Sequence, residues 1–203
     1  MHGMAADMPF RLEPWDERGL TLERRANTAV MKVYLGGLES DETMIARHER
    51  ILAFGWAGTG RMFLIVVPGE VEPVGSTGYW ERQWPDRTVY EMGWKVLPAW
   101  QGRGLAAAAT VAVIEIAATE GRHRWAHAYP KTDNAASNGV CRNAGFAGFA
   151  LVGGTEIEYP PGHPIRCHDW RYDLASLPGP PGRVRSANGR DRPSSASPHS
   201  DRG

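Results

Sequence analysis

The sequence predicts an α+β protein in which a mixed, largely antiparallel central sheet is flanked by helices. Three observations indicate this fold class. Three strand-like segments between residues 61 and 97 are joined by short, turn-rich connections, which is typical of an antiparallel meander. A glycine-rich turn and an alanine-rich helix follow the meander. A strand–helix–strand pattern then completes the folded part and makes the sheet mixed.

The first elements are a short strand and two helices. Residues 10–15 are predicted as a strand, and Asp16 can cap a helix that runs to about Asn27. Ser40 or Asp41 caps a second helix. In this helix, one stripe carries the side chains of Met44, Ile45, His48, Ile51 and Leu52.

The remaining elements follow the same reasoning. The meander strands are RMFLIVV (61–67), GSTGYWERQW (75–84) and TVYEMGWKVL (88–97). The helix after the glycine turn extends to about Glu120, with Gly121 as its C-cap. The later segments are predicted as a strand at RWAHAYP, a helix at NAASNGVCRNAG closed by Gly145, a strand at FAGFALVGG, a long loop at TEIEYPPGHPI and a last strand at CHDWRYDL.

Length and composition predict one domain, residues 1–174, followed by a tail. Residues 175–203 are rich in Pro, Gly, Ser and Arg, so we expect disorder there. The formal net charge is zero, and no apolar run approaches the roughly 18–20 residues that span a bilayer. Two cysteines provide no disulfide framework. We therefore expect a cytoplasmic monomer or homodimer, with neither nucleic acid nor a membrane as partner.

The stretch VLPAWQGRGLAAAAT (96–110) is the most informative part of the sequence. A strand that stops at Pro98 and a turn with Gly102 and Gly104 lead directly into a small-residue helix. The first turn of a helix has backbone N–H groups without intrahelical partners, and glycine lets a phosphate approach them closely.

This glycine motif has three interpretations. It matches the dinucleotide fingerprint G-x-G-x-x-A, but a Rossmann unit places that turn after its first strand, whereas a whole meander precedes it here. It can also be a plain turn without a ligand. The third interpretation depends on a second motif, DNAASNGVCRNAGF (133–146).

Together, the two motifs resemble the central motifs of the GNAT-fold N-acetyltransferases. Gln101, Gly104 and Ala106 stand in the defining places of the family's Q/R-x-x-G-x-G/A pyrophosphate loop. The second motif is similar to the family's N-x-x-S helix that ends in Gly-Phe. The resemblance covers residues 10–174, and the nearest branch acetylates ribosomal-protein N-termini and small amines. It implies a GNAT-like sheet with a splayed strand pair at the cofactor cleft.

The resemblance implies that acetyl-CoA is the acetyl donor and assigns residues to its binding. Val96 would pair with the pantetheine arm, and Asn134 would contact it or cap its helix. Gly93 would form a bulge that splays its strand. Arg103 and Arg142 would reach CoA phosphates or remain ordinary surface arginines. The N–H groups that would hold the pyrophosphate belong to Gln101, Gly102, Arg103, Gly104, Leu105 and Ala106.

The reaction that the resemblance implies is direct transfer to a primary amine, which requires a base because a free amine is mostly protonated at neutral pH. Glu91 is the first candidate base, with a plain salt bridge to Lys95 or an arginine as the alternative; Glu156 and Glu158 are weaker candidates. Ser137 would protonate the departing thiolate, or simply bond its own backbone, and Tyr129 is the fallback donor.

The loop EYPPGHPIRCHDW (158–170) would form a wall of the acceptor pocket, with Tyr159 and His163 facing the amine. The segment RRANTAVMKVYLGG (24–37) would form the opposite wall. No metal site is predicted, since adjacent Cys167 and His168 point to opposite faces of a strand. The alternative function is a catalytically silent module that binds CoA or an acylated ligand as a sensor.

Overall fold

The computed structural model describes residues 9–84, 86–148, 155–158 and 164–177. Its strands are β1 (Arg11–Pro14), β2 (Gly60–Val66), β3 (Gly75–Trp84), β4 (Arg87–Val96), β5 (Trp125–Ala128), β6 (Ala147–Gly148), β7 (Thr155–Glu158), β8 (Pro164–Cys167) and β9 (Trp170–Asp173). Its helices are α1 (Arg18–Ala26), α2 (Ala29–Lys32), α3 (Asp41–Ala57), α4 (Leu105–Glu120) and α5 (Ala135–Asn143). Within these ranges, no helix is both long and apolar enough to cross a membrane.

Seven strands form one mixed sheet in the order β1-β2-β3-β4-β5-β9-β6. The β4–β5 pair is parallel, and the other neighbours are antiparallel. The predicted meander is therefore β2-β3-β4, and the α+β fold class is confirmed. The helix ends follow their local sequence signals: the Ser40 side chain accepts the Thr43 N–H, and Gly121 adopts φ 63° at the end of α4.

The sheet is covered on both faces. On one face, Tyr90 and Met92 of β4 pack with Val113 and Ile114 of α4. On the other face, apolar side chains of the sheet pack against α1 and α3, and this cluster contains Trp15, Leu22, Ile51, Leu64 and Leu97. Because side chains alternate along a strand, Glu91, Gly93 and Lys95 belong to the α1–α3 face.

The predicted bulge at Gly93 is wrong. The β3–β4 ladder runs in even register from Gly75 opposite Val96 to Trp84 opposite Arg87, and Gly93 lies directly opposite Gly78. Glycine at position 93 has a different consequence: a Cβ there would lie 2.8 Å from the end of the Trp80 ring, so the ring would have to shift. The lack of a side chain at Gly93 therefore makes room for the Trp80 indole, and β4 contains no extra residue at this point.

The late segments differ from the prediction in two places. Residues 155–158, predicted as part of a long loop, form β7, which pairs with β8 in a separate two-stranded hairpin. Pro164 does not prevent this because it is the first residue of its strand. The predicted last strand is divided, since β8 ends at Cys167 and β9 begins at Trp170.

At its C-terminal side, the described fold extends slightly past the predicted boundary. A short 3₁₀ turn spans Leu174–Ser176. Leu174 is buried, and Leu177 packs against the same apolar cluster as α4. Residues 178–203, most of the predicted tail, lie outside the described residues.

Candidate functional site

Strands β4 and β5 diverge, as the sequence predicts. Tyr90 lies opposite Ala126 and Glu91 opposite His127, and within the described chain the ladder has no further pairs. The Leu97 N–H donates to the Val74 carbonyl on the β3 side. Backbone groups alternate sides along a strand, so the N–H groups of Trp94 and Val96 point away from β3, into the gap. Among the described residues, these strand-like donors have no protein partner.

A cavity of about 490 Å³, here called the cofactor cleft, adjoins this gap. It extends between the N-terminal ends of α4 and α5. Gly102 and Gly104 adopt φ values of 74° and 76°, in the left-handed region that favours glycine, and α4 begins immediately afterwards. The predicted cofactor residues that line this cleft are Val96, Gln101, Gly102, Gly104, Leu105, Ala106 and Asn134.

The two predicted arginines do not line the cofactor cleft. The Arg103 guanidinium lies 5.1 Å from the centre of the Trp100 ring. Arg142 is exposed on α5, where Asn143 lines the cleft instead. Both arginines are absent from the lining of the cleft, and an ordinary surface role was the alternative that the sequence analysis left open for them.

A second cavity of about 340 Å³, here called the acceptor cavity, lies on the α1–α3 face of the sheet. Glu91 and Tyr129 line it, and the segment 24–37 contributes Lys32, Tyr34 and Leu35 to its wall. The acceptor cavity and the cofactor cleft meet, and both are lined by Lys32, Tyr34, Leu35, Trp94, Lys95, Asn134 and Ser137. A ligand in one cavity can therefore reach a ligand in the other.

Glu91 forms a salt bridge within the acceptor cavity. Its Oε2 accepts a hydrogen bond from Arg82 Nη1 at 2.5 Å, and the two side chains are 17% and 29% exposed. The partner of Glu91 is an arginine, as in the salt-bridge alternative stated for this residue. Lys95 bonds to Glu23 instead. The second carboxylate oxygen of Glu91 has no hydrogen bond to the described residues, so it can still accept a proton.

Tyr129 belongs to a buried hydrogen-bonded chain. His127 Nδ1 lies 2.8 Å from Tyr129 Oη and 3.1 Å from Asp169 Oδ1. Burial alone would raise the pKa of Asp169, but hydrogen bonds from His127 and Arg171 outweigh it and hold that pKa below 3.8. An ionised carboxylate only accepts, so His127 Nδ1 carries a hydrogen. The Tyr129 hydroxyl cannot donate to a protonated Nδ1, and its oxygen can only share the single Nδ1 hydrogen with Asp169, so the phenol hydrogen is left for another partner.

Burial raises the pKa of Tyr129 well above its ordinary value of 10.0. The phenol is therefore protonated at neutral pH. A protonated hydroxyl that lines the acceptor cavity can serve as a proton donor. His127 itself is only 2% exposed, so it is part of the core of the fold.

Ser137 lies in the first turn of α5, where both cavities meet. Its N–H donates to Asn134 Oδ1 at 3.1 Å, so Asn134 caps the helix and also lines both cavities. The start of α5 thus brings the Ser137 hydroxyl to the junction of the two cavities.

The role of Asn138 was not predicted from the sequence. This side chain is 3% exposed, and its amide donates to the carbonyls of Lys131 at 2.9 Å and Asn134 at 2.8 Å. Its Oδ1 accepts from Trp170 Nε1 at 2.9 Å. Asn138 therefore connects the start of α5 to Lys131, just after β5, and to Trp170 of β9. Its position inside a helical pattern does not indicate these contacts.

A buried charge cluster, defined as Glu23, Lys32, Glu39, Arg47 and Lys95, was also missed. Glu23 is 1% exposed and forms salt bridges with Lys95 and with Arg47, the latter at 2.9 Å. Glu39 pairs with both Lys32 and Arg47. The members come from three helices, one loop and one strand, so no local pattern in the sequence connects them.

Two predicted substrate residues, Tyr159 and His163, lie outside the described residues. The hairpin that flanks them still reaches the site, because Ile165 of β8 lines the acceptor cavity. Within the described part of the chain, no group of three or more His, Cys, Asp or Glu side chains is arranged to hold a metal ion.

Comparisons with solved structures show the same fold. RimL, a ribosomal L7/L12 alpha-N-protein acetyltransferase in complex with coenzyme A, is 18% identical over 83% of this chain and 96% of its own, with a TM-score of 0.66. The aminoglycoside acetyltransferase AAC(6')-Ib, in complex with coenzyme A, is 15% identical over 81% and 95%, with a TM-score of 0.62. The microcin C7 self-immunity acetyltransferase MccE, in complex with acetyl-CoA and AMP, is 13% identical over 83% and 94%, with a TM-score of 0.64.

Comparisons of sequence give the family. A search of curated protein sequences gives no match. A family model described as the acetyltransferase (GNAT) domain matches residues 9–147, more than half of the chain. This range contains the glycine loop, the splayed strand and the start of α5. The chain therefore belongs to the GNAT family and is an acetyl-CoA-dependent acetyltransferase.

Proposed function

We propose that the protein transfers the acetyl group of acetyl-CoA directly to a primary amine, carried by a small molecule or a protein N-terminus. The meeting of the cofactor cleft and the acceptor cavity at Trp94 and Ser137 supports this proposal, because direct transfer requires both substrates to be bound at once. The similar structures are a ribosomal-protein alpha-N-acetyltransferase, an aminoglycoside acetyltransferase and a microcin C7 self-immunity acetyltransferase. These similar structures support acetyl transfer to an acceptor, but they do not identify the acceptor of this protein.

The donor would bind in the cofactor cleft. The pyrophosphate would accept hydrogen bonds from the N–H groups of residues 101–106, where the positive end of the α4 dipole favours an anion. The amide-rich pantetheine arm would pair with the N–H groups of Trp94 and Val96 as an added strand. Asn134 would contact this arm, and Arg103 and Arg142 would contact phosphates from the rim.

The chemical step would proceed through a tetrahedral intermediate. The neutral amine nitrogen attacks the thioester carbon, and a C–N bond forms while Glu91 takes the amine proton directly or through water. A backbone N–H of β4 in the gap stabilises the oxyanion. The C–S bond then breaks, and the CoA thiolate takes a proton from the Ser137 hydroxyl, which regains one from water as a relay, or from Tyr129 in the same way if the serine does not supply it.

Other features remain proposals from the sequence. Tyr159 and His163 would face the acceptor amine, and Glu156 or Glu158 would replace Glu91 as base only if Glu91 proves dispensable. We infer a cytoplasmic monomer or homodimer in which residues 1–174 carry the activity. The chemistry described above needs no metal.

A thiol-release assay tests the proposed function. Purified protein, acetyl-CoA and each member of a panel of amines are combined, and the free thiol of CoA is measured with time. We expect release that depends on at least one amine, together with a product heavier by one acetyl group. Tight binding of CoA without release on any amine would instead favour the catalytically silent module.

A further inference from the structure

The walls of the acceptor cavity are unusually rich in positive charge. Among the described residues, two carboxylates line the cavity, Glu23 and Glu91, against five cationic side chains: Lys32, Arg47, Arg50, Lys95 and Lys131. The charges immediately behind the wall do not correct this imbalance. Arg82 pairs with Glu91, and Glu39 pairs with Lys32 and Arg47. Counted together with Arg82 and Glu39, the described lining of the acceptor cavity holds six cations and three carboxylates. The Asp169–Arg171 pair behind Tyr129 adds one charge of each sign and leaves this difference unchanged.

Three of the cations are largely buried and share two carboxylates. The side chains of Lys32, Arg47 and Lys95 are 3%, 15% and 21% exposed, and their only described acidic partners are Glu23 and Glu39. Burial lowers the pKa of Lys95, as do Lys32 and Arg47 nearby, whereas Glu23 raises it. Buried charges are normally balanced by partners, so this cluster leaves one positive charge to be balanced by something else.

Two further cations have no carboxylate partner in the described part of the chain. Arg50 is exposed on α3, and Lys131 is half-buried just after β5. They come from different elements, yet both line the acceptor cavity. Their side chains are available to a molecule that enters it.

We propose that the acceptor carries an anionic group, such as a carboxylate, beside its primary amine, and that Arg50 and Lys131 bind this group. The inference rests on the proposed function and narrows its substrate class. A carboxylate in the cavity accepts charge-assisted hydrogen bonds from these donors and balances the excess positive charge of the buried cluster.

The same charges also help the chemistry. Nearby cations disfavour a second positive charge, so the acceptor amine loses its proton more readily in this cavity than in water. The neutral amine is the form that attacks the thioester. By the same argument, acceptors that carry several ammonium groups and no acid, such as polyamines, bind poorly here.

Matched acceptors test this inference with the full-length protein. The amidated tripeptides Ser-Asp-Ala and Ser-Asn-Ala differ only in one carboxylate at a distance from the amine, and 4-aminobutyrate and 4-aminobutanamide form the equivalent small-molecule pair. We expect kcat/KM from thiol release to be roughly 10- to 100-fold higher for the acidic member of the pair that fits the cavity. The pair that shows the preference indicates whether the acceptor amine belongs to a peptide N-terminus or to a small molecule. Spermidine should be a poor acceptor.

Charge-removing variants locate the recognition. Arg50→Gln and Lys131→Gln should each reduce the acidic-to-neutral ratio about tenfold, mainly through KM of the acidic acceptor. Arg11→Gln, on an exposed side chain of β1 outside both cavities, is the matched control and should keep the wild-type ratio.

The outcomes separate this inference from the proposed function. Equal rates on acidic and neutral acceptors, or a preference for spermidine, would overturn the inference and leave the acetyltransfer intact. A preference that persists in both Arg50→Gln and Lys131→Gln would also overturn the assigned recognition. Absence of thiol release on every amine, with CoA bound, would overturn the proposed function and this inference with it.

Discussion

Glu91 faces the acceptor cavity with one carboxylate oxygen bound to Arg82, and the other oxygen is placed to receive a proton. If this oxygen acts as the base, Glu91→Gln should lower kcat by roughly 10²- to 10⁴-fold, with acetyl-CoA affinity almost unchanged. Steady-state kinetics and CoA titration measure the two effects separately.

The matched control is Glu81→Gln. Glu81 is also a half-buried strand glutamate paired with an arginine, Arg122 at 3.0 Å, but it does not line either cavity. Its variant should retain kcat within a few-fold. Equal, small losses in both variants would assign Glu91 to a structural salt bridge, and Glu156 and Glu158 would become the next candidates.

Ser137 and Tyr129 compete for the role of proton donor to the thiolate. Ser137 lines both cavities, whereas Tyr129 lines the acceptor cavity alone and its oxygen is hydrogen-bonded to His127. We therefore expect Ser137→Ala to lower kcat by roughly ten- to a thousand-fold with acetyl-CoA affinity retained, and Tyr129→Phe to have the smaller effect. If the order of the two effects is reversed, Tyr129 is the donor; a rise in KM for acetyl-CoA alone would make Ser137 a binding residue.

At the scale of single elements, α4 permits a controlled test of the cofactor loop because a left-handed glycine stands at each of its ends. Gly104 (φ 76°) begins the helix at the cofactor cleft, and Gly121 (φ 63°) ends it. A side chain in this conformation costs about 1–2 kcal/mol at either position. Only at Gly104 would the new Cβ also obstruct a phosphate.

Gly104→Ala should therefore weaken CoA binding by at least about tenfold, whereas Gly121→Ala should lose a similar amount of stability and keep its CoA affinity. Isothermal titration and thermal unfolding of both variants check this. Equal CoA affinity in the two variants would show that the pyrophosphate does not bind at the start of α4.

The elements that could be predicted from the sequence are those set by local chemistry. Ser40, Gly104 and Gly121 mark helix ends because each satisfies a local backbone requirement, and the strand patterns of the meander are equally local. The cofactor motifs are local too, and their resemblance to a family also indicated the splayed strands. What was missed depends on contacts between distant segments: the β7–β8 hairpin, the approach of Trp80 to Gly93 and the salt bridges of Glu23.

At the scale of the whole molecule, the C-terminal limit of the folded unit can be tested by truncation. A chain that ends at Leu177 should keep the wild-type melting temperature and CoA affinity, because residues 178–203 contain few apolar side chains to bury. A chain that ends at Asp173 removes Leu174, which is 4% exposed in the main apolar cluster, and should lose about 2–5 kcal/mol of stability. If the chain that ends at Leu177 melts at a lower temperature than wild type, the boundary of the folded unit lies beyond Leu177.

The buried charge cluster joins α1, α2, α3 and β4, so its balance concerns the stability of the whole fold. Burial alone would raise the pKa of Glu23, but the charges of Lys95 and Arg47 outweigh it and hold this pKa below its ordinary value of 4.5. A lowered carboxyl pKa stabilises the folded state above the unfolded pKa, and the contribution is lost as pH falls through the folded pKa.

Glu23→Gln should therefore lower the free energy of unfolding at pH 7 by about 3–5 kcal/mol, because it leaves Lys95 without its carboxylate partner and Arg47 with Glu39 alone. Asp41→Asn, which breaks a pair with Arg24 whose side chains are both 49% exposed, should lose far less stability than Glu23→Gln, because solvent screens an exposed ion pair. Urea unfolding from neutral pH to below pH 4.5 should show a stability loss in wild type that the Glu23→Gln variant lacks. If wild type and this variant lose stability in parallel on acidification, the acid sensitivity arises from other carboxylates and Glu23 does not hold the cluster together.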